Sequence, residues 1–260
     1  MNKLSVMIIT YNEEKHIDSC LESVSWADEI IVVDACSEDK TVEICKKHAA
    51  KIYINAWPGF SRQKSFALGK CSHSWVMNID ADERVRPELK AEIQGILQNP
   101  AFDGYKIARR SYFLGKWIKH CGWYPGYQVR LFKKEKTRLS DRRVHEGFIV
   151  QGTTSTLKND LDHFSHPDIY TSIEKLNIYT TLEAFDRLDR KPVHVHDFMT
   201  HFISSFWNKF IAHKGFLDGV HGFLLSWISA FLKMVLYMKI WHFQQMSPKE
   251  LQVYKEQIDS

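Results

Sequence analysis

The first hundred residues alternate short apolar runs with stretches of helical length. Four apolar runs predict buried β-strands, at residues 4–9, 29–33, 51–54 and 75–79. The segments that follow them predict helices, at residues 12–25, 37–48, 61–70 and 87–98, with Asn12 as a cap of the first. Near-continuous apolar strands that alternate with helices are typical of a parallel sheet covered on both faces. The pattern therefore predicts an α/β fold.

Polar side chains follow three of these strands at the point where each strand ends. Thr10 and Tyr11 follow the first strand, Asp34 follows the second, and Asp80 and Asp82 follow the fourth. Ligands of such sheets bind beyond the carboxyl ends of the strands. We therefore expect these side chains to meet at one edge of the sheet and to form the site.

The second part of the chain has a different pattern, with short strands and basic loops up to about residue 161 and a helix at about 170–188. The segment between Lys106 and Arg143 carries twelve Lys and Arg side chains against two acids, Glu135 and Asp141. Such an excess either forms a solvated basic face or attracts a phosphorylated partner. The aromatic residues there follow no RNA-binding motif, so we expect no nucleic-acid partner.

The acidic run that begins at Asp80 places three carboxylates within four residues. Alternating carboxylates can offer oxygens to Mg²⁺ or Mn²⁺, which keep other positions for water and substrate phosphates. Acidic residues also favour the positive end of a helix, and we expect Glu83 to serve the helix that begins near Pro87. Neither a dinucleotide-binding glycine motif nor a P-loop is present. Asp34 would be a turn residue or a nucleotide ligand.

The five cysteines are odd in number, widely spread and without zinc-site spacing, which predicts reduced thiols in a cytoplasmic protein. The apolar run at the N-terminus is too short for a secretory signal.

Several of these segments resemble glycosyltransferase family 2, whose inverting enzymes have the GT-A fold. The resemblance rests on three donor-side segments: SVMIITYNEE at 5–14, EIIVVDACSEDKT at 29–41 and WVMNIDADER at 75–84. Three later segments resemble the lipopolysaccharide core β-1,4-glucosyltransferases: YPGYQVRLF at 124–132, VHE at 144–146 and GFLDG at 215–219. One departure is Ala35-Cys36, where the family usually has Ser-Gly or Gly-Ser.

The resemblance implies a metal-dependent hexosyltransferase that uses a UDP-sugar, in particular UDP-glucose, and an anionic glycolipid such as the lipopolysaccharide inner-core heptose. Thr10, Tyr11 and Glu13 would line the nucleotide pocket, and Asp34 would bind the uridine. Asp80 and Asp82 would hold the diphosphate and its divalent ion, Mn²⁺ or Mg²⁺. Two basic residues would either add charge near the phosphates or lie on a solvated helix face: Arg62 and Lys64.

An inverting transfer also needs a carboxylate that takes the proton of the acceptor hydroxyl. We choose Glu146, with Asp141 second, although either could instead form an ion pair with neighbouring arginines. Gln128, Arg130 and His145 are expected on the acceptor side, with pairing to a surface acid as the alternative for Arg130.

These patterns divide the chain into two regions. A GT-A catalytic domain covers residues 1–192, with a nucleotide half at 1–100 and an acceptor half at 101–192, and a helical region covers residues 193–260.

The helical region at 193–260 forms a tail that is rich in Phe, Trp, Leu and Met. A membrane span is disfavoured because Lys233 would cost about 2.5–3.5 kcal/mol at its centre. Ser226, Ser229 and Lys233 recur at helical spacing, which predicts a helix in the membrane interface and a peripheral location at the inner face of the cell membrane. Docking of the tail onto the catalytic domain is the alternative.

Two other functions remain open at this point. One is a family 2 transferase with another sugar nucleotide and a protein or polyprenyl-phosphate acceptor. The other is a non-catalytic membrane-associated binding module.

Overall fold

The computed structural model describes residues 2–140, 147–188 and 191–259. The strands of the first half are β1 Leu4–Thr10, β2 Glu29–Asp34, β3 Lys51–Ile54, β4 Trp75–Asp80, β5 Glu83–Val85, β6 Gly104–Ile107 and β7 Arg109–Phe113. Those of the second half are β8 Lys116–Trp117, β9 Gln128–Lys133, β10 Thr137–Leu139, β11 Phe148–Val150, β12 Thr154–Thr156 and β13 Leu161–His166. The helices are α1 Ile17–Val24, α2 Thr41–Cys45, α3 Phe60–Lys70, α4 Pro87–Gln98, α5 Ile169–Phe185, α6 Val195–Trp207, α7 Gly219–Gln245 and α8 Pro248–Asp259.

The central sheet has seven strands in the order β12-β6-β9-β4-β1-β2-β3. Strands β1, β2, β3 and β4 run parallel to one another, as the apolar runs predict. Strand β9 is inserted antiparallel between β4 and β6, so the sheet is mixed. This confirms the α/β prediction and brings the middle of the chain directly against the strand that ends in Asp80.

Apolar side chains cover both faces of this sheet. On one face Val6, Ile8, Val32 and Ile79 pack against α1 and α4, and on the other Met7 and other side chains pack against α3. The strands are therefore apolar at successive positions, because alternate side chains enter different cores.

Helix α1 begins later than the sequence predicts, at Ile17 instead of Asn12. The side-chain oxygen of Asn12 accepts a hydrogen bond from the backbone of Glu38 at 2.9 Å, and its φ of 51° is left-handed. Asn12 therefore ties two loops together and does not cap the helix.

The chain divides into two units that do not follow its order. The first comprises Met1–Tyr112 and Tyr124–Ser165, and the second comprises Phe113–Trp123 and His166–Ser260. The first unit holds the central sheet and the antiparallel pairing of β5 with β13. The domain division at residue 192 stays a prediction.

The second unit is helical. Helix α7 buries one face, through side chains that include Leu225, Leu232, Leu236, Ile240 and Phe243. The segment Gly215–Gln245 is long and apolar enough to cross a membrane, with a mean hydropathy of 1.6 and a third of its most apolar window buried. A single such helix is weak support for a span, because the core helix of a soluble protein meets the same criteria.

The polar stripe that the sequence predicts on this helix is only partly on its surface, because Ser226 is buried while Ser229 and Lys233 are partly exposed. Ser226 is fully buried and donates to the carbonyl of Gly222 at 2.7 Å. It also lies near the thiol of Cys121, because the two glycines of this region allow close packing. Ser226 therefore does not belong to a surface stripe, and the exposed large hydrophobic side chains of α7 include Val220, Phe223 and Trp227. The interfacial helix stays a prediction.

The basic segment is less charged than its composition indicates. Several of its cations pair with acids outside the segment: Arg110 with Asp160 at 2.7 Å, and Lys133 and Lys136 with Asp103, both at 2.9 Å. These two acids compensate only part of the excess, and an anionic partner for this segment stays a prediction.

Candidate active site

Parallel pairing aligns the carboxyl ends of three strands. Thr10 of β1 lies opposite Asp34 of β2, and Ile9 lies opposite Asp80 of β4. Three of the predicted polar strand ends are thus brought to one edge of the sheet, as the sequence predicts. Thr10 and Asp34 are buried there, whereas Asp80 is partly exposed.

The loops after β1 and β2 are held together by reciprocal hydrogen bonds. The backbone of Asn12 donates to the Ser37 hydroxyl at 2.9 Å, and the backbone of Glu13 donates to the Thr41 hydroxyl at 2.8 Å. Asp34 accepts the backbone N–H of Ser37 at 2.8 Å as well as its hydroxyl. Asp34 therefore has the role of a turn residue, while each of its oxygens keeps a further lone pair for a ligand.

Two side chains at this edge are available to a bound molecule. The hydroxyl of Thr10 is buried and, among the described residues, has no hydrogen-bond partner. Such an orphaned polar atom is uncommon in a folded protein, and a bound molecule could supply its missing hydrogen bond. The ring of Tyr11 is 53% exposed and projects beyond the same strand. Glu13 lies next to it in the loop that contacts Thr41.

A buried arginine compensates the charge of the acidic run. Arg130 of β9 is 1% exposed and donates to Asp80 at 2.8 Å and to Glu83 at 2.5 Å. Lys64 of α3 is buried and lies 3.8 Å from the other oxygen of Asp80. Arg62 lies on the exposed side of the same helix. Of Arg62 and Lys64, the two basic residues that the sequence predicts near the phosphates, Lys64 is the one that lies against Asp80.

Glu83 does not serve the helix that begins near Pro87, in contrast to the prediction. It is completely buried in β5 and accepts the backbone N–H of Asp80 at 2.9 Å. Burial raises the pKa of Glu83, Arg130 offsets this only in part, and the charge of Asp80 raises it further. Burial acts in the same direction on Asp80, but Arg130 and Lys64 outweigh it and hold the pKa of Asp80 well below its ordinary value.

Asp82 is 8% exposed and faces a histidine that the sequence does not single out. The Nε2 atom of His163, in β13, lies 3.6 Å from a carboxylate oxygen of Asp82. Burial lowers the pKa of His163 to about 4, although Asp82 opposes the shift, so the imidazole is neutral near pH 7. A neutral imidazole beside a carboxylate is a donor pair that divalent ions accept.

The described residues contain no cluster of three or more His, Cys, Asp or Glu side chains that could hold a metal. The pair of Asp82 and His163 would therefore need donors from a substrate, as is usual for Mg²⁺-type sites. Asp80 fits an ion less well, because Arg130 and Lys64 already compensate its charge.

The predicted acceptor side is only partly described. Gln128 is exposed at the start of β9 and pairs in register with Ile107. Arg130, on the same strand, pairs with the buried Glu83 and with the partly exposed Asp80 at the sheet edge. Asp141, His145 and Glu146 lie outside the described residues.

Comparison with known proteins agrees with this geometry. The family profile described as Glycosyl transferase family 2 matches residues 5–163. A glycosyltransferase of Rickettsia typhi is 32% identical over 92% of this chain and 87% of its own length. The lipopolysaccharide core biosynthesis glycosyltransferase LpsC of Rhizobium meliloti is 31% identical over 72% of each chain.

Among solved structures, S. aureus TarS 1–349 in complex with UDP-GlcNAc has a TM-score of 0.48 and 16% identity, over 98% of this chain and 92% of that one. The family profile covers more than half of the chain and includes every donor-side strand end and His163. The protein belongs to glycosyltransferase family 2.

Proposed function

We propose that this glycosyltransferase moves a hexose, in the first instance glucose from UDP-glucose, to a heptose of a lipopolysaccharide inner core or to a similar phosphorylated glycolipid. The reaction would take place in the cytoplasm, at the inner face of the cell membrane. The relative LpsC, named for lipopolysaccharide core biosynthesis, supports this acceptor class. The observation that carries the proposal is the alignment of Thr10, Asp34 and Asp80 at one sheet edge.

The nucleotide of the donor would lie over the ends of β1 and β2. The unpartnered hydroxyl of Thr10 and the remaining lone pairs of Asp34 can hydrogen-bond a ribose or a uracil. The exposed ring of Tyr11 can stack on the base, since aromatic side chains bind flat rings with little loss of entropy. Glu13 would contribute to the same pocket.

Asp82 and His163 are the residues that would hold a divalent ion, and Asp80 would lie beside the diphosphate. When bound, such an ion neutralises charge on the leaving diphosphate as a Lewis acid. Lys64 adds positive charge at the same edge. Arg130, held by Asp80 and Glu83, keeps the carboxylates of the run in one arrangement before any ligand binds.

The acceptor hydroxyl needs a general base on the opposite side of the sugar. Glu146, with Asp141 as second choice, is proposed for this role. Gln128 and His145 would position the acceptor. The variant Glu146→Gln tests the proposed base. It should lower kcat strongly and change KM much less.

The experiment measures transfer from a panel of nucleotide sugars to inner-core oligosaccharide, by mass spectrometry, with Mn²⁺ or with EDTA. We expect glucose transfer with Mn²⁺, and a loss of about 100-fold or more in Asp82→Asn, because the ion stabilises charge that develops in the transition state. His163→Gln should lower metal affinity by more than the about 10–100-fold that loss of an outer-shell partner costs, because His163 is proposed as a direct ligand. Glu88→Gln, at an exposed position of α4, is the matched control.

Three results would count against parts of the proposal. Full activity of Asp82→Asn in EDTA would remove the metal assignment. Transfer of a different sugar would replace the donor. If no nucleotide sugar raised the melting temperature in the presence of Mn²⁺, a non-catalytic binding module would become the better description.

A further inference from the structure

Helix α6 exposes a continuous apolar stripe. The stripe recurs every four residues along the helix and the turn after it: Val195, Met199, Ile203, Trp207 and Ile211, each between 47 and 67% exposed. Residues four apart lie on one side of a helix. A second row packs inward against α7, with Phe202 and Phe206 in edge-to-face contact with Trp227. Helix α6 thus has apolar side chains on its buried side and a separate apolar row on its exposed side, beside an exposed polar row at His196, Thr200, Ser204 and Asn208.

Helix α7 adds exposed apolar residues next to α6, since Phe198 and Phe202 of α6 contact Trp241 and Trp227 of α7. Its outward residues also recur at helical spacing: Val220, Phe223, Trp227, Phe231, Met238 and Trp241. Val220 is 71% exposed. At 1.5 Å per residue the helix is about 40 Å long. Large apolar surfaces of this kind are rare on soluble monomers and mark a binding surface. We name this surface of α6 and α7 the apolar face.

The charges around the apolar face fit an anionic lipid surface. Between Asp197 and Glu250 the sequence has one acid, Asp218, and it is buried. Lys214 is exposed in the turn at one end of the helix pair. At the other end Lys191 is exposed and lines a cavity of about 570 Å³, together with Asp197 and with Arg187, which is paired to Glu183. Cations at both ends of an uncharged apolar strip complement the negative surface of a bilayer.

The aromatic residues favour lipid over another protein. Trp207, Trp227 and Trp241 are all exposed on the apolar face. Trp is enriched at the headgroup level of membranes, where its ring is in an apolar zone and its N–H meets water. Three such side chains on one surface are consistent with contact at that depth.

The inward side of α7 argues against a span. Lys239 donates to the side-chain oxygens of Asn177, Thr180 and Thr181 of α5, at 2.7, 3.0 and 2.7 Å. Gly222 packs so closely on Gly215 that no side chain fits between them. A helix with one polar, protein-packed side cannot be surrounded by lipid, but it can lie in the interface.

From these observations we infer that the apolar face binds the surface of a bilayer that contains anionic phospholipid, with both helices parallel to the membrane plane. The inference deepens the peripheral location in the proposed function and rests on it only for the identity of the membrane. It assigns lipid contact to named side chains and excludes a transmembrane α7.

The test is cosedimentation of the full chain with vesicles of phosphatidylcholine, alone or mixed with phosphatidylglycerol. The parent should bind the mixed vesicles. The double variant Ile203→Glu/Val220→Glu should bind about tenfold more weakly or worse, because two charges replace apolar side chains that would enter the bilayer surface. Ile54→Glu is the matched control, since Ile54 is 57% exposed on β3 of the other unit. Lys191→Glu should weaken binding to the mixed vesicles alone.

A second measurement does not depend on the folding of the double variant. Brominated lipids should quench part of the Trp fluorescence of the parent, and Trp207→Phe should reduce the quenched fraction. Trp57→Phe, an exposed position on the first unit, should not. Alkaline carbonate should release the protein from the vesicles.

Four outcomes would overturn the inference: no vesicle binding by the parent, equal binding by the double variant, equal quenching in Trp207→Phe, or resistance to carbonate, which indicates a span. If the parent were a dimer that did not bind vesicles, and the double variant were a monomer, the apolar face would be assigned to contact with a second copy of the chain.

Vesicle binding needs no donor, metal or acceptor, so the variant Asp82→Asn should still bind vesicles. The double variant should in turn keep transfer to a water-soluble oligosaccharide, which separates the failure of one proposal from that of the other.

Discussion

Arg130 donates a hydrogen bond of 2.8 Å to Asp80 from a position with 1% of its surface exposed. The same guanidinium nitrogen contacts Glu83, which is completely buried. One cation therefore holds two carboxylates that would otherwise repel each other at the end of β4. The arrangement is preorganised for a site because the charges are fixed before a ligand arrives.

Removal of this cation should destabilise the fold strongly. In Arg130→Met both Asp80 and Glu83 lose the cation they share, and Glu83, whose pKa burial already raises, must take up a proton to stay buried. We expect a loss of about 3–5 kcal/mol in the free energy of unfolding. Urea denaturation followed by circular dichroism measures this loss. Arg138→Met, at an exposed position of β10, should change stability by less than about 0.5 kcal/mol.

The double variant Arg130→Met/Glu83→Gln provides the internal check. Since the amide removes the uncompensated charge, it should recover part of the stability that the single variant loses. A single variant within about 1 kcal/mol of the parent would show that Arg130 does not compensate Glu83.

The strand ends of the site were predictable from the sequence, but the partners of the acidic run were not. Thr10, Asp34 and Asp80 each follow an apolar run, and parallel strands place such residues together. Arg130 reaches Asp80 only because β9 is inserted antiparallel beside β4. His163 meets Asp82 through β13, which pairs with β5. Those pairings join residues far apart in the chain, and no local pattern encodes them.

The same limit applies to the misplaced features. Glu83 precedes a helix in sequence and was assigned to its positive end, but β5 inserts a short strand that buries it. Ser226 has the spacing of a surface stripe, but it is buried on the side of the helix where Gly222 packs against Gly215. Hydrophobic periodicity gives the faces of a helix, whereas the choice of which face is buried depends on its neighbours.

Cys36 adopts a left-handed backbone, with a φ of 65°, in the loop after β2. This is where the family resemblance departs from its usual glycine or serine. A non-glycine residue in this left-handed region costs about 1–2 kcal/mol of stability. Glycine avoids this cost but lowers stability by about 0.5–1 kcal/mol, because its unfolded chain has more conformational entropy. Cys36→Gly should therefore stabilise the protein by about 0.5–1 kcal/mol. Cys36→Ala keeps the Cβ atom and should not stabilise the protein. An equal gain in the free energy of unfolding in both variants would contradict backbone strain at this position.

Gly222 marks the closest packing in the second unit. A Cβ atom there would lie 1.8 Å from the carbonyl oxygen of Gly215, whereas one at Gly95 of α4 would meet open space. Gly222→Ala should lower the free energy of unfolding by about 3 kcal/mol, at the upper end of overpacking costs. Gly95→Ala should instead raise it by about 0.5–1 kcal/mol through helix propensity. Thermal and urea unfolding of the two variants give the comparison, and equal effects would disprove the close contact.

Glu29 should make the fold sensitive to acid. Its side chain is 4% exposed and accepts hydrogen bonds from Ser5 at 2.6 Å and from Lys51 at 2.7 Å, as well as from the backbone and the hydroxyl of Ser72, both at 2.7 Å. Burial alone would raise its pKa, but these donors lower it from 4.5 to about 2. The carboxylate is therefore favoured in the folded state, and its contribution is complete above pH 4.5 and is lost as the pH falls towards 2.

The shift corresponds to about 3 kcal/mol at neutral pH, since each pKa unit is worth about 1.4 kcal/mol. Glu29→Gln should be less stable than the parent by about this amount at pH 7 and should approach it at low pH, because only the parent loses the contribution there. Urea denaturation between neutral pH and pH 2 measures the difference between the two proteins. Glu22→Gln, an exposed carboxylate on α1, is the control that should follow the parent at every pH. The difference in the free energy of unfolding between the parent and Glu29→Gln should therefore shrink as the pH falls. A constant difference would show that the four hydrogen bonds do not stabilise the ionised form of Glu29.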